Sequence, residues 1–185
     1  LNKINYIVYL IKKYIMKKLI FTLTIVFSII MSNNVSAQGT IVDVAVGNKN
    51  FSTLVSALKA ADLVKPLQGK GPFTVFAPTN EAFAKINPKT LNSLLEQKNQ
   101  KSLANILTYH VVSGKLTAAD VVAALKKGNG NVELTSLNGQ KLTVLQKDGK
   151  IWIKDAKDNY SEITATDVMG SNGVIHVINS VVMPK

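Results

Sequence analysis

The hydrophobic period of the chain changes once, at Asn129-Gly130-Asn131, and that change limits the folds open to it. Before this point apolar residues recur at helical spacing. Phe51, Leu54, Val55, Leu58 and Ala61 follow i, i+3, i+4, i+7, placing one apolar stripe on a helix that Asn50 would cap. After it the period is 2. Val132–Leu137, Gln140–Gln146 and Lys150–Lys154 read as three strands joined at Asn138-Gly139 and Asp148-Gly149. Both dipeptides are strong signals for type I′ hairpins, which need positive φ at both central residues. Strands over Glu162–Val168 and Val174–Val182 follow. Segregated helices and strands favour an α+β fold with a mainly antiparallel sheet over an alternating parallel one.

Start and stop signals fill in the helical half. Thr40 and Thr117, each followed three residues later by Asp43 and Asp120, have capping-box spacing and open helices running to Gly47 and Gly128. Thr79 caps a short helix, and Asn87-Pro88 gives a cap and first-turn proline for Lys89–Glu96. Phe73–Phe76 reads as a strand ended by Pro78. A helix over Ser102–Leu107 runs into a strand over Tyr109–Val112.

The N-terminal region reads as an address. Met16-Lys17-Lys18 is a basic start, Leu19 to Met31 an apolar run of 13 residues, and Val35 and Ala37 the small residues before a cleavage point. These are the parts of a signal peptide over residues 16–37. As a helix the run spans about 20 Å, short of a ~30 Å hydrocarbon core, so no stable membrane span is expected after cleavage near Ala37. Residues 1–15 read as an over-extended start, and residues 38–185 as one domain beginning at Gln38. The expected location is therefore secreted, periplasmic or extracellular.

Composition narrows the chemistry. Cysteine is absent, which excludes disulfides, thiolate metal sites and a cysteine nucleophile. The 22 basic residues are all lysine. Residues 1–38 carry five lysines and no acid, and residues 39–185 carry 17 lysines against 11 acids, a surplus of six. Those lysines are scattered singly, without arginine, so nucleic acid is not an expected partner. The two histidines, His110 and His176, lie in apolar segments and read as partly buried side chains satisfied by backbone or hydroxyl partners. No metal-ligand spacing, nucleophile elbow or phosphate cradle occurs, and the carboxylates are dispersed. No enzyme and no cofactor is expected.

Three segments carry more information than composition. Phe73-Thr74-Val75-Phe76-Ala77-Pro78-Thr79-Asn80-Glu81-Ala82-Phe83, Tyr109-His110-Val111-Val112 and Gly173-Val174-Ile175-His176-Val177-Ile178-Asn179 resemble, in this order, the two signature boxes and the central Tyr-His motif of fasciclin-like domains. The resemblance spans residues 39–185 and is closest to a secreted, bacterial single-domain member. It implies a wedge of two mainly antiparallel β-sheets, a β-sandwich with a helical layer. It also implies a non-catalytic role in cell adhesion or extracellular-matrix contact, with a cell-surface or matrix protein or polysaccharide as partner. In animal members adhesion is attributed to the Tyr-His segment and to an Asp-Ile pair before the second box. The counterparts here are Tyr109, His110, Asp167 and Val168, which form the candidate interaction surface. Val168 replaces the usual Ile, and Asn179 stands where an acid is usual.

A second reading is a periplasmic small-ligand or stress-related domain with a pocket near Trp152 or His110. Trp152 alternates with Ile151 and Ile153 and so faces the other side of its strand. It reads as packing under the helical layer or as a single exposed aromatic.

Overall fold

The computed structural model describes residues 38–185 together with residues 7 and 9. The signal segment over residues 16–37 lies outside the described residues, as does all of 1–15 except Ile7 and Tyr9. Gln38–Lys185 forms one compact unit. Its elements are α1 (Ile41–Val46), α2 (Ser52–Ala60), α3 (Val64–Gln68), β1 (Phe73–Pro78), α4 (Asn80–Ala84), α5 (Pro88–Leu95), α6 (Gln100–Tyr109), β2 (Val111–Ser113), α7 (Ala118–Lys127), β3 (Asn131–Thr135), β4 (Lys141–Lys147), β5 (Lys150–Lys154), β6 (Tyr160–Gly170) and β7 (Gly173–Ile178).

The helix starts follow the cap chemistry. Thr40 and Thr117 form complete capping boxes with Asp43 and Asp120, and hydrogen bonds from the threonines hold both carboxyls below their ordinary range. The Thr79 hydroxyl accepts from Ala82 N, and Asn87 Oδ1 accepts from Lys89 N. Asn50 is not a cap. Asn48 Oδ1 accepts from Asn50 N and opens a 3-10 turn over Lys49–Phe51, which delays α2 to Ser52.

The strands join one sheet, in the order β2-β1-β7-β6-β5-β4-β3. Five of the six pairings are antiparallel and β1–β7 is parallel. The sheet is nearly closed like a barrel: Val112 of β2 bridges Ser136 just beyond β3, and Leu137 N donates to Val111 O at 2.7 Å. The expected two-sheet sandwich is thus a single curled sheet. The device that curls it is β6, whose register against β7 slips twice between Ile163 and Val168; Asp167 there has φ +59°. Such bulges bend and twist a strand.

The two hairpins differ. Asp148 and Gly149 both have positive φ, +54° and +73°, as a type I′ turn requires. At the other, only Gly139 is left-handed. Gly139 N donates to Ser136 O, and Ser136 N to Gln140 O, giving a three-residue loop. The Asn138 side chain selects it by accepting from Gln140 N.

Curling creates two cores. One lies between the helices and one face of β1 and β7, and contains Ile41, Phe51, Leu58, Phe83, Val75, Ala77 and Ile175. The other fills the inside of the curled sheet with Phe76, Tyr109, Leu125, Leu142, Val144, Ile153 and Ile178. Successive residues of a strand face opposite sides, so β1 feeds both cores and reads as a continuous apolar run.

Candidate functional site

The three motif segments meet in space. β1 carries the first box and lies between β2, which follows Tyr109-His110, and β7, which carries the second box. Phe76 N donates to His110 O at 2.9 Å. Phe76 is also the register partner of His176, and their rings stack with centroids 5.8 Å apart.

Tyr109 and His110 are interior. Tyr109 ends α6 and does not begin a strand, because Leu103, Ile106, Leu107 and His110 continue the helical stripe. Its ring is fully buried, and its hydroxyl donates to Lys141 O at 2.9 Å. Burial raises the phenol pKa. His110, 2% exposed, has Nδ1 2.8 Å from Ile106 O and Nε2 3.2 Å from Val182 N. A carbonyl accepts and an amide donates, so this assigns the neutral tautomer with the proton on Nδ1. Burial pushes its pKa down to about 4. With both nitrogens used inside the fold, His110 has no polar atom left for a ligand.

Asp167 and Val168 are half-buried in the bulge of β6. Asp167 Oδ1 accepts from Ala118 N, the first amide of α7, at 2.9 Å. Val168 packs against the helical core. The segment before α7 is held from three strands: Leu116 N donates to the buried Thr74 hydroxyl, Leu116 O accepts from His176 Nε2 at 2.7 Å, and Asp167 fixes Ala118. His176 Nδ1 faces Asp167 N at 3.5 Å, the limit of a hydrogen bond.

Two further anchors went unread. Asp155, 3% exposed, accepts from Lys157 N, Asn159 N and Nδ2, and Met183 N. With His110 and with Gln140 Oε1, which accepts from Lys185 N, it ties down the C-terminal segment. Asn172 Nδ2 donates to Leu67 O and Gly69 O, and its Oδ1 accepts from Ile41 N, joining the turn before β7 to two helices. At Gly173 a Cβ would lie 2.3 Å from Phe73 O, so the β1–β7 approach requires glycine. Trp152 lies on the outer side of the sheet, half-buried, and so neither packs beneath the helical layer nor stands alone. No cluster of three metal-ligating side chains occurs among the described residues.

Residues 49–184 match the Fasciclin domain family model. This chain belongs to the fasciclin domain family. Protein sll1483 of Synechocystis sp. is 52% identical over 145 residues, covering 78% of this chain and 73% of that protein. Transforming growth factor-beta-induced protein ig-h3 of Sus scrofa is 40% identical over 147 residues, which cover 80% of this chain but 20% of ig-h3. Among solved structures, the FAS1 domain pair of the insect cell adhesion molecule Fasciclin I aligns with TM-score 0.69 at 20% identity, over 78% of this chain and 51% of that one. That likeness establishes the fold. Within a fasciclin domain the three motif segments are therefore one structural junction, with β1 as its middle strand.

Proposed function

We propose that this fasciclin domain is a secreted, non-catalytic adhesion or matrix-interaction module that binds a protein or polysaccharide surface. The observation that carries this reading is the internal satisfaction of the junction. Both imidazoles, Thr74 and Asp167 hold backbone groups, which leaves none of them poised to move a proton or attack a substrate. Contacts then fall to the exterior. Asp167 and Val168, in the bulge, stand at the accessible edge of the candidate surface, and Tyr109 and His110 support it from within. The insect relative, named a cell adhesion molecule, supports the same class of function. Export rests on the segment before Gln38, with cleavage after Ala37; no helix among the described residues is long and apolar enough to cross a membrane.

The test is retention of the purified protein on cells, biofilm matrix, immobilised proteins and glycans. Retention above a lysine-acetylated control is expected. No retention on any of these surfaces, or a turnover lost on replacing His110 or His176, would overturn the reading. Intact mass of exported protein should begin at Gln38.

A further inference from the structure

The outer face of β3–β6 is built unlike the rest of the surface. Ladder register places Leu145, Trp152 and Glu162 side by side on β4, β5 and β6, with Tyr160 diagonal to Trp152 beside Lys154. Diagonal neighbours on one face lie within reach of aromatic side chains. Tyr160 is 53% exposed, and with the half-buried Leu145 and Trp152 it makes an apolar strip across three strands. Two clefts, of about 560 and 360 Å³, run beside it. Both are lined by Thr143 and Lys154, so they adjoin there, one reaching Lys185 and the other Tyr160, and together make the trough of this face.

The charge on this face is balanced. Lys141 pairs with Glu133 at 2.6 Å, Lys150 with Glu162 at 2.8 Å and Lys154 with Asp158 at 3.0 Å. With Lys147, and with Lys185 and Asp155 of the same trough, five lysines against four side-chain carboxylates leave +1, out of the surplus of six on residues 39–185. A polyanion would meet a carboxylate beside most of the cations. A hydroxyl-rich neutral chain meets what it needs: each hydroxyl both donates and accepts, and each ion pair offers an acceptor and a donor. Sugar C–H faces can lie on the Tyr160 ring and the strip beside it. The Trp152 ring is half-buried beside Leu145, with its Nε1–H shielded and without an acceptor among the described residues, so what it offers a ligand is its ring.

We propose that the trough along the outer face of β3–β6 binds an extended neutral polysaccharide, with Trp152 and Tyr160 as the platform. This rests on the adhesion reading and adds to it a second surface, apart from Asp167 and Val168, with a ligand class. Trp152 is the only tryptophan in the chain, so its fluorescence reports the site directly.

The purified full chain is titrated with a panel of neutral glycans (glucans, mannans, galactans and xylans), with alginate, with single-stranded oligo-dT and with gelatin. At least one neutral glycan is expected to shift the Trp152 emission. Its affinity should change less than about twofold between low and high salt, because few ions are displaced. Tyr160→Thr should weaken binding about tenfold or more, and Trp152→Ala should abolish retention on the immobilised glycan. Lys59→Gln, a charge change on α2, should leave affinity within about twofold. Tyr160 is exposed, so its variant keeps the test valid should Trp152→Ala not fold. Binding of alginate or oligo-dT in preference, steep salt dependence, or indifference to Tyr160→Thr would overturn the proposal. Retention on gelatin without any neutral glycan overturns it and leaves the adhesion reading standing; retention on no surface overturns both.

Discussion

Phe76 and Tyr160 are both aromatic residues in strands of one sheet, and they stand for opposite regions. Phe76 sits at the junction of the three motif segments, fully buried, stacked on His176 and hydrogen-bonded through its amide to His110. Tyr160 stands on the outer face, half exposed, among paired charges. The segments that identify the family are those the fold cannot change, because each side chain there serves the others. The outer face of β3–β6, proposed to bind a glycan, carries none of those segments. A family motif therefore locates the frame, and the surface beyond it is where members can differ.

The contrast breaks most readily at Phe76. Phe76→Ala removes a fully buried ring from the inner core and should cost about 3–5 kcal/mol, read as a lowered midpoint in urea unfolding. A loss below about 1 kcal/mol would mean that the junction can collapse around the gap and is not the rigid frame described.

Acid tests the same junction without mutation. The His110 pKa is about 4 in the folded protein against an ordinary 6.5. Between these values the unfolded chain binds a proton that the folded chain does not. Stability from this group is therefore full above pH 6.5 and is lost as pH falls towards 4, by about 3 kcal/mol in all. Urea midpoints measured across that window should fall with acid, and the slope should shrink in His110→Leu. The C-terminal segment should loosen first, because protonated Nε2 no longer accepts from Val182 N. Hydrogen exchange at Val182 would detect this.

A smaller effect is expected at the bulge. Asp167→Ala removes the acceptor for Ala118 N and puts alanine at φ +59°. Together these should cost about 1–2 kcal/mol. Asp167→Asn, which tolerates the left-handed backbone and keeps an oxygen acceptor, should recover most of the loss. Equal losses in the two variants would show that the carboxylate charge, and not the geometry, holds α7.

Much of this frame was legible in the sequence because its causes are local. Thr40, Thr79, Asn87 and Thr117 cap their helices through amides two or three residues away, and Asp148-Gly149 sets its own turn. Errors arose where a distant partner decides. Tyr109-His110 reads as a strand start, yet a buried stripe keeps it helical. Asn138-Gly139 carries a type I′ signal, yet the Asn138 side chain accepts from Gln140 N in a longer loop. A candidate contact surface drawn through Tyr109 and His110 could not reveal their burial, since that depends on β4 and on the C-terminal segment closing over them. At Asp155 the bonds from Lys157 N and Asn159 N are those of a local turn, but its hold on the C-terminal segment had no signal, because that donor, Met183 N, lies 28 residues away.

The smallest effect sharpens the comparison most. Tyr160→Thr keeps a strand-favouring residue at the start of β6, the Tyr160 side chain lies outside both cores, and the Lys154–Asp158 pair beside it stays intact. Its effect on stability should be under about 0.5 kcal/mol, the range of ordinary surface substitutions. Urea unfolding would measure it beside Phe76→Ala, with retention on an immobilised neutral glycan as the second readout. If the outer face is a contact surface, the two variants separate: Tyr160→Thr loses binding at full stability, whereas Phe76→Ala loses stability first. If Tyr160→Thr is instead as destabilising as a core truncation, the ring is part of the frame, and the division between a fixed interior and a variable exterior fails at this strand.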